Sequence, residues 1–239
     1  MTADETRICP KTILVPGGDD RLREFVAGEA PVPVNVVSNP SAPLRPSDLA
    51  VLVIESVDPS VRAAATRVLT DSVPYVALVR RDVWSGGSDA IRVLLDEVQR
   101  DPRRKLIRFW RDRDELEQTL RDEVFTLDDA TLISQSTPDG TFVKVGSHFE
   151  QTWEVENSGF QIWEGRAQRE LASEHLIVER SLVPIPRTEP GQRVSMTARF
   201  TAPDEPRNCR SVWKTVEGPE QRVCFPWAPG LWCQVLAVL

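Results

Sequence analysis

No stretch of the chain approaches the roughly 20 consecutive apolar residues that a membrane-spanning helix needs. The opening MTADETRICPK also lacks the apolar core behind a basic head that marks a secretion signal. These two absences imply a cytoplasmic chain. Cysteine is scarce, with only Cys9, Cys209, Cys224 and Cys233, and no CxxC pair; histidine is scarcer, with His148 and His175 alone. That excludes the common zinc-ligand spacings and predicts reduced thiols, although Cys224 and Cys233 could be neighbours across a sheet. Neither histidine has a serine or cysteine motif beside it, so no nucleophilic site is expected around them, and neither a metal nor a cofactor is implied. Positive charge is not in excess: the net charge is −7, with 18 Lys and Arg against 23 Asp and Glu in residues 1–137 and 11 against 13 in residues 138–239. A sequence-independent grip on nucleic acid needs many cations on one face, and nucleic acid is not expected as a partner. One cationic stretch, Arg100, Arg103, Arg104, Lys105, Arg108, Arg111 and Arg113 around Trp110, falls where strand alternation would divide the cations between two faces.

The chain has 239 residues, enough for two modest cores. After a polar N-terminus over residues 1–10, Thr12 to Val15 forms a short apolar run closed by Pro16-Gly17-Gly18, a buried strand ending in a turn. Leu22, Phe25 and Val26 make an apolar stripe on a short helix, and Val34, Val36 and Val37 a second strand. The run Leu49 to Ile54, LAVLVI, has the form of a central parallel strand covered on both faces. Asp58-Pro59 then opens a helix, Tyr75 to Val79 is a strand, and Ile91, Leu94, Leu95 and Val98 repeat at helical spacing. Leu106 to Trp110 is a fifth strand, and Asp112 with Glu115 forms a capping box for a last helix. The order β, α, β, β, α, β, α, β, α over residues 11–127 predicts a flavodoxin-like open parallel sheet with one crossover helix lost. A ligand would sit outside the carboxyl ends of its strands, where Gly17, Gly18, Asp19, Glu55 and Arg80 form the candidate crevice. Tight turns, helix caps and solvated arginines account for the same residues without a ligand.

In architecture this half resembles receiver, TIR and nucleoside deoxyribosyltransferase-like domains. The phosphate-accepting aspartate of a receiver is replaced by Glu55, and its lysine after the fifth strand by Arg111. The nucleoside-cleaving groups carry a glutamate in the helix after their central strand, and residues 59–70 contain no carboxylate. No catalyst is evident.

Between Leu127 and Gly140 periodicity lapses, and the stretch 128–139 reads as a polar linker. From residue 140 to 239 the period becomes two. Val194, Met196, Ala198 and Phe200 alternate with Ser195, Thr197 and Arg199, and turn signals recur at intervals suited to a two-sheet sandwich. Four tryptophans, Trp153, Trp163, Trp213 and Trp232, can supply most of its core. The stretch Phe149-Glu-Gln-Thr-Trp153-Glu-Val-Glu-Asn157-Ser-Gly159-Phe-Gln-Ile-Trp163-Glu-Gly165 is followed by Val183-Pro184, Pro190-Gly191, Val194 to Phe200, Ala202-Pro203, Ser211-Val212-Trp213 and Leu231-Trp232. That order resembles the four-tryptophan (FW) domain of the autophagy cargo-receptor family. A Phe-Gly expected before the last strand reads Phe225-Pro226, which sets apart any contact the family makes through that loop. The resemblance implies an immunoglobulin-like β-sandwich that binds proteins and, as in prokaryotic members attached to regulatory domains, an adaptor. Trp227, outside the motif in a Pro-rich loop, is the candidate partner anchor, and Phe225 and Phe160 are further candidate partner-binding residues. Two functions are therefore expected to compete: a non-catalytic adaptor binding a protein through the sandwich, and a nucleotide- or NAD-sensing or -cleaving protein using the first domain.

Overall fold

The computed structural model describes residues 11–15, 20–39, 45, 48–56, 59–70, 73–86, 89–101, 104–225 and 230–239. The chain divides into two compact units between Leu127 and Asp128.

In the first unit the elements are β1 (Lys11–Leu14), α1 (Asp20–Glu29), β2 (Val34–Val37), β3 (Leu49–Ile54), α2 (Pro59–Thr70), β4 (Tyr75–Arg80), α3 (Arg81–Gly86), α4 (Asp89–Arg100), β5 (Arg104–Trp110) and α5 (Arg113–Thr119). The five strands form one parallel sheet in the order β2-β1-β3-β4-β5. All six residues of β3 are buried, as a strand covered on both faces requires. Ala65 and Val68 of α2 and Leu94 and Val98 of α4 pack on Ala50, Leu52, Tyr75 and Ala77. On α1, Glu29 pairs with Arg121 at 3.0 Å, and the same guanidinium lies over the Phe25 ring. The predicted helix start forms with a displaced return bond: the N-cap Asp112 accepts from Glu115 N at 3.0 Å, and the Glu115 carboxylate accepts from the N–H of Arg111, the residue before the cap, at 2.8 Å. Two features depart from the sequence reading. The short helix α3 follows β4 directly, over a stretch to which the sequence pattern assigned no element, and Asp82 satisfies the N–H of Val83 at 2.8 Å. The last helix ends in a π-helical turn over Leu120–Val124, closed by Phe125 N to Leu120 O at 2.9 Å.

The second unit is an antiparallel sandwich with one parallel edge. Its strands are β6 (Ala130–Gln135), β7 (Thr141–Lys144), β8 (His148–Asn157), β9 (Arg166–Glu174), β10 (Ile177–Val178), β11 (Leu182–Pro184), β12 (Arg193–Thr201), β13 (Arg207–Glu217), β14 (Arg222–Val223) and β15 (Leu231–Val238). One sheet runs β10-β12-β8-β6; the other runs β11-β9-β13-β15-β7, with β14 also on β13. Residues 128–139 are not a linker. They contain β6, which pairs antiparallel with β8, and the register shift between Leu132 and Ser134 is a bulge that interrupts the alternation from which the strand would have been recognised. The chain then crosses to the other sheet, where β7 lies parallel to β15. The alternation from Val194 to Phe200 is realised residue by residue: the even-numbered positions of β12 are buried and the odd-numbered ones exposed through Arg199.

Candidate functional site in the sandwich

The sandwich core is built on three of the four tryptophans. Trp153, Trp163 and Trp213 are at most 1% exposed and pack with Phe200, Met196, Cys209, Cys233 and Val235. Trp153 and Trp213 lie 5.8 Å apart between ring centres, and Trp213 meets Phe200 edge-on. Each buried indole N–H has an acceptor: Trp153 donates to Trp232 O at 3.0 Å, Trp213 to Ser211 Oγ at 2.8 Å and Trp163 to Asp128 Oδ1 at 3.3 Å. Trp232 departs from the expected interior position. Leu231, Cys233, Val235 and Ala237 take the inward side of β15, so Trp232 faces outward, half-buried, and donates to Asp139 Oδ2 at 2.8 Å.

A charged cluster that sequence reasoning missed sits at one end of this core. The Arg166 side chain is only 7% exposed and binds both carboxylate oxygens of Asp128 at 2.9 Å, with Glu217 at 3.6 Å. Its guanidinium lies 5.7 Å from the centre of Trp163 and 5.6 Å from that of Phe225. Glu217 is also hydrogen-bonded by Arg222, which holds its carboxyl below the ordinary value. The only local signal was the pair Asp128-Asp129, which reads equally well as a polar hinge.

Phe160 and Phe225 are corrected from partner anchors to interior residues. Both are 4% exposed, and Phe225 packs against Trp163 at 5.9 Å. Trp227, Gly17, Gly18 and Asp19 lie outside the described residues. At the carboxyl ends of the first unit's strands, Glu55 is half-buried and Arg80 is held by Asp82 at 2.7 Å. That hydrogen bond raises the arginine's proton affinity and lowers the carboxyl's. The cationic stretch is engaged with carboxylates: Arg100 with Asp96, Arg108 with Glu123, Arg111 with Glu115 and Arg113 with Glu117, all within 3.0 Å.

The thiols of Cys209, Cys224 and Cys233 are free. Cys224 and Cys233 are not neighbours across a sheet, because both lie on the same side of β13, against Thr215 and Ser211 respectively. Burial pushes Cys224 up to about 11 and Cys233 up to about 12 from an ordinary 9.0, and raises Cys209 as well. Site-resolved alkylation of the native protein at pH 8 is expected to spare Cys209 and Cys233, both 0% exposed, and to reach them only in denaturant. The same shifts destabilise the fold in alkali. An unfolded thiol ionises near 9 while the folded one stays protonated, so stability is complete below about pH 9 and falls as pH rises towards about 12. A Cys233→Ser comparison in alkaline denaturant titrations checks this; an unchanged pH slope would contradict it. Among the described residues no group of three or more His, Cys, Asp or Glu could hold a metal ion, and no helix is long and apolar enough to cross a membrane.

Two stacked β-sheets around a tryptophan core, with immunoglobulin-like character, define the class of the second unit. Residues 136–236 match the family model for the Ig-like domain from next to BRCA1 gene. Among solved structures, the chain is similar to the CARDB domain of PF1109 from Pyrococcus furiosus, with 18% identity, 47% of this chain and 96% of that one covered, and a TM-score of 0.34. It is also similar to WR4, an MSP family member of C. elegans, with 15% identity, 44% and 96% coverage and a TM-score of 0.28. The ASH/PapD-like domain of human CEP192 gives 10% identity, 45% and 82% coverage and a TM-score of 0.25. No curated protein matches the chain significantly.

Proposed function

We propose that this chain is an adaptor without chemistry of its own, whose immunoglobulin-like sandwich binds a protein partner. The observation that carries the proposal is the family-model match over residues 136–236. It coincides with the stretch in which the four-tryptophan motif was read, and supports the finer reading of an FW-type domain. Three of the motif's rings are committed to the core, so they hold the sheets rather than the partner. The proposed anchor is Trp227. The test uses the full-length chain as bait, with Trp227→Ala and an unrelated sandwich as controls. Partner retention lost on Trp227→Ala is the expected result; retention no better than the unrelated sandwich overturns the proposal.

The second reading, a nucleotide- or NAD-responsive protein, has one observation in its favour. Glu55 lies close enough to Arg80 to contribute to its raised proton affinity, after Asp82, at the carboxyl ends of a parallel sheet ordered 2-1-3-4-5. That strand order supports a flavodoxin-like first domain, and such sheets take ligands at this end. Thermal-shift measurements with nucleotides and NAD decide it: no shift removes this reading.

A further inference from the structure

Along one side of the sandwich the two sheets part and leave a strand edge open. β10 pairs with β12 only at Phe200 and Thr201, and its last bond to that strand is Glu179 N to Arg199 O at 2.9 Å. Over Arg180 the chain passes to the other sheet, where Ser181 O accepts from Glu170 N at 2.9 Å and β11 pairs with β9. The rest of β12, from Arg193 to Ala198, has β8 on one side and, among the described residues, no strand on the other. The register shows which main-chain groups face the open side. Thr197 stands opposite Thr152, whose N–H and C=O are both bonded to Ser136, on the far side of β8. Facing residues of an antiparallel pair turn their main-chain groups either both towards or both away from each other. The N–H and C=O of Thr197 therefore point away from β8, as do those of Ser195 two residues earlier. Neither residue has a main-chain partner on that side among the described residues.

Native sheets blunt edges of this kind, and the other edges here carry such devices. β6 is bulged between Leu132 and Ser134, β10 and β11 have two and three residues, and β2 and β7 have four each. On β5 the Arg108 side chain itself bonds Ile107 O at 2.9 Å. β12 has none of these: it runs nine residues in unbroken register with β8, without proline or lysine. Beside its open part lies a groove of about 300 Å³, bordered by Thr197 and Ala198 and by Leu182, Val183 and Pro184 of β11.

We propose that this edge is a strand-addition site, at which an extended segment of a partner polypeptide pairs with β12 over Arg193 to Thr197, antiparallel like every other pair in this sheet. The open groups define the occupant, because main-chain donors and acceptors repeating every second residue are matched by another extended backbone. Partner residues opposite Ser195 and Thr197 share their outward face, where hydroxyl side chains pair well, and a carboxylate suits the position opposite Arg193. The residues between them turn inward over Leu182 and Val183 and are apolar. A second copy of β12 does not fit. The pairing that engages Ser195 and Thr197 of both copies sets Arg193 of each opposite Arg199 of the other, and like charges directly opposite are destabilising. This contact goes beyond the Trp227 anchor and does not depend on it.

Residue-resolved amide exchange, measured by NMR on the full-length chain, tests the site. In the free protein the amides of Ser195 and Thr197 should exchange about a hundredfold or more faster than those of Met196 and Ala198, which face β8. The probe is the acetylated, amidated hexapeptide Val-Thr-Val-Thr-Val-Glu. At saturation it should slow exchange at Ser195 and Thr197 by about tenfold, the equivalent of one hydrogen bond. The same peptide N-methylated at both threonines lacks the donors that face β12 and should give no protection. Ser195→Pro blocks the edge but spares the ladder to β8, since the N–H it removes points away from that strand, and the effect of the peptide on Thr197 should vanish. If that variant does not fold, the two peptides compared on the natural chain decide. Slow exchange at Ser195 and Thr197 in the free protein, equal protection by both peptides, or protection by neither overturns the proposal. A retained partner without any peptide response defeats the strand-addition site and spares the adaptor reading; a peptide response that Ser195→Pro abolishes upholds the site even where Trp227→Ala leaves partner retention unchanged.

Discussion

Gly230→Ala is expected to lower the stability of the sandwich by about 2–5 kcal/mol in all, from two independent costs. Gly230 has φ +89, in the left-handed region that a side chain occupies at a cost of about 1–2 kcal/mol. A Cβ at this position would also stand 2.4 Å from the carbonyl oxygen of Trp213, which is backbone inside the central strand β13 and cannot swing aside. Overpacking of this kind typically adds about 1–3 kcal/mol. The thermal midpoint of this unit should fall by roughly 10 °C or more. Gly140→Ala is the internal control: its φ is +79, but nothing lies within 4 Å of the added carbon. It should lose only the conformational part, about 1–2 kcal/mol. Equal losses at the two glycines would show that the contact with Trp213 does not matter.

The second large effect is expected at Asp128. Removing its carboxylate takes both short hydrogen bonds from Arg166 and the acceptor from Trp163 Nε1, leaving the buried guanidinium with Glu217 at 3.6 Å. An uncompensated buried charge commonly costs about 3–5 kcal/mol, and the remaining carboxylate places Asp128→Ala at the lower end, about 3 kcal/mol. The cost belongs to the stranded charge rather than to the attraction itself. Arg166→Met, which keeps the apolar stem against Trp163 and Phe225, should therefore recover much of the loss when combined with Asp128→Ala. Chemical denaturation of the two single variants and the double variant measures the coupling. A double variant as unstable as the sum of the singles would mean that the pair does not act as a unit.

The parts of the fold that could be read from sequence are those decided by neighbours along the chain. The continuous LAVLVI run gave a strand buried on both faces, the period-two stretch around Met196 gave the inward side of β12, and Asp112 with Glu115 gave a helix start. Each signal lies within about ten residues. The misreadings arise where that local signal fails or is ambiguous. The bulge between Leu132 and Ser134 breaks the alternation of β6, so a strand passed for a linker. On β15 both faces carry apolar residues, and periodicity alone cannot decide whether Trp232 or Cys233 points inward. The candidate site was less legible still. Arg166 and Asp128 are 38 residues apart, and Gln168 and Thr215, which share a buried hydrogen bond, are 47 apart. No window of sequence holds those residues together; sheet pairing does.

The parallel pairing of β7 with β15 has a mechanical consequence. Thr141 to Lys144 lie alongside Val235 to Val238, and flanking bonds join Gly140 N to Gln234 O at 2.9 Å and Val145 N to Val238 O at 2.8 Å. Tension applied between Thr141 and Leu239 would draw the two strands lengthwise past each other, loading the whole ladder at once instead of peeling it bond by bond. We therefore expect a high rupture force when the sandwich is stretched along that direction in an optical trap or force microscope. Val143→Pro, which removes one backbone donor from β7, should lower that force. A rupture force unchanged by this substitution would place the mechanical clamp elsewhere in the sandwich.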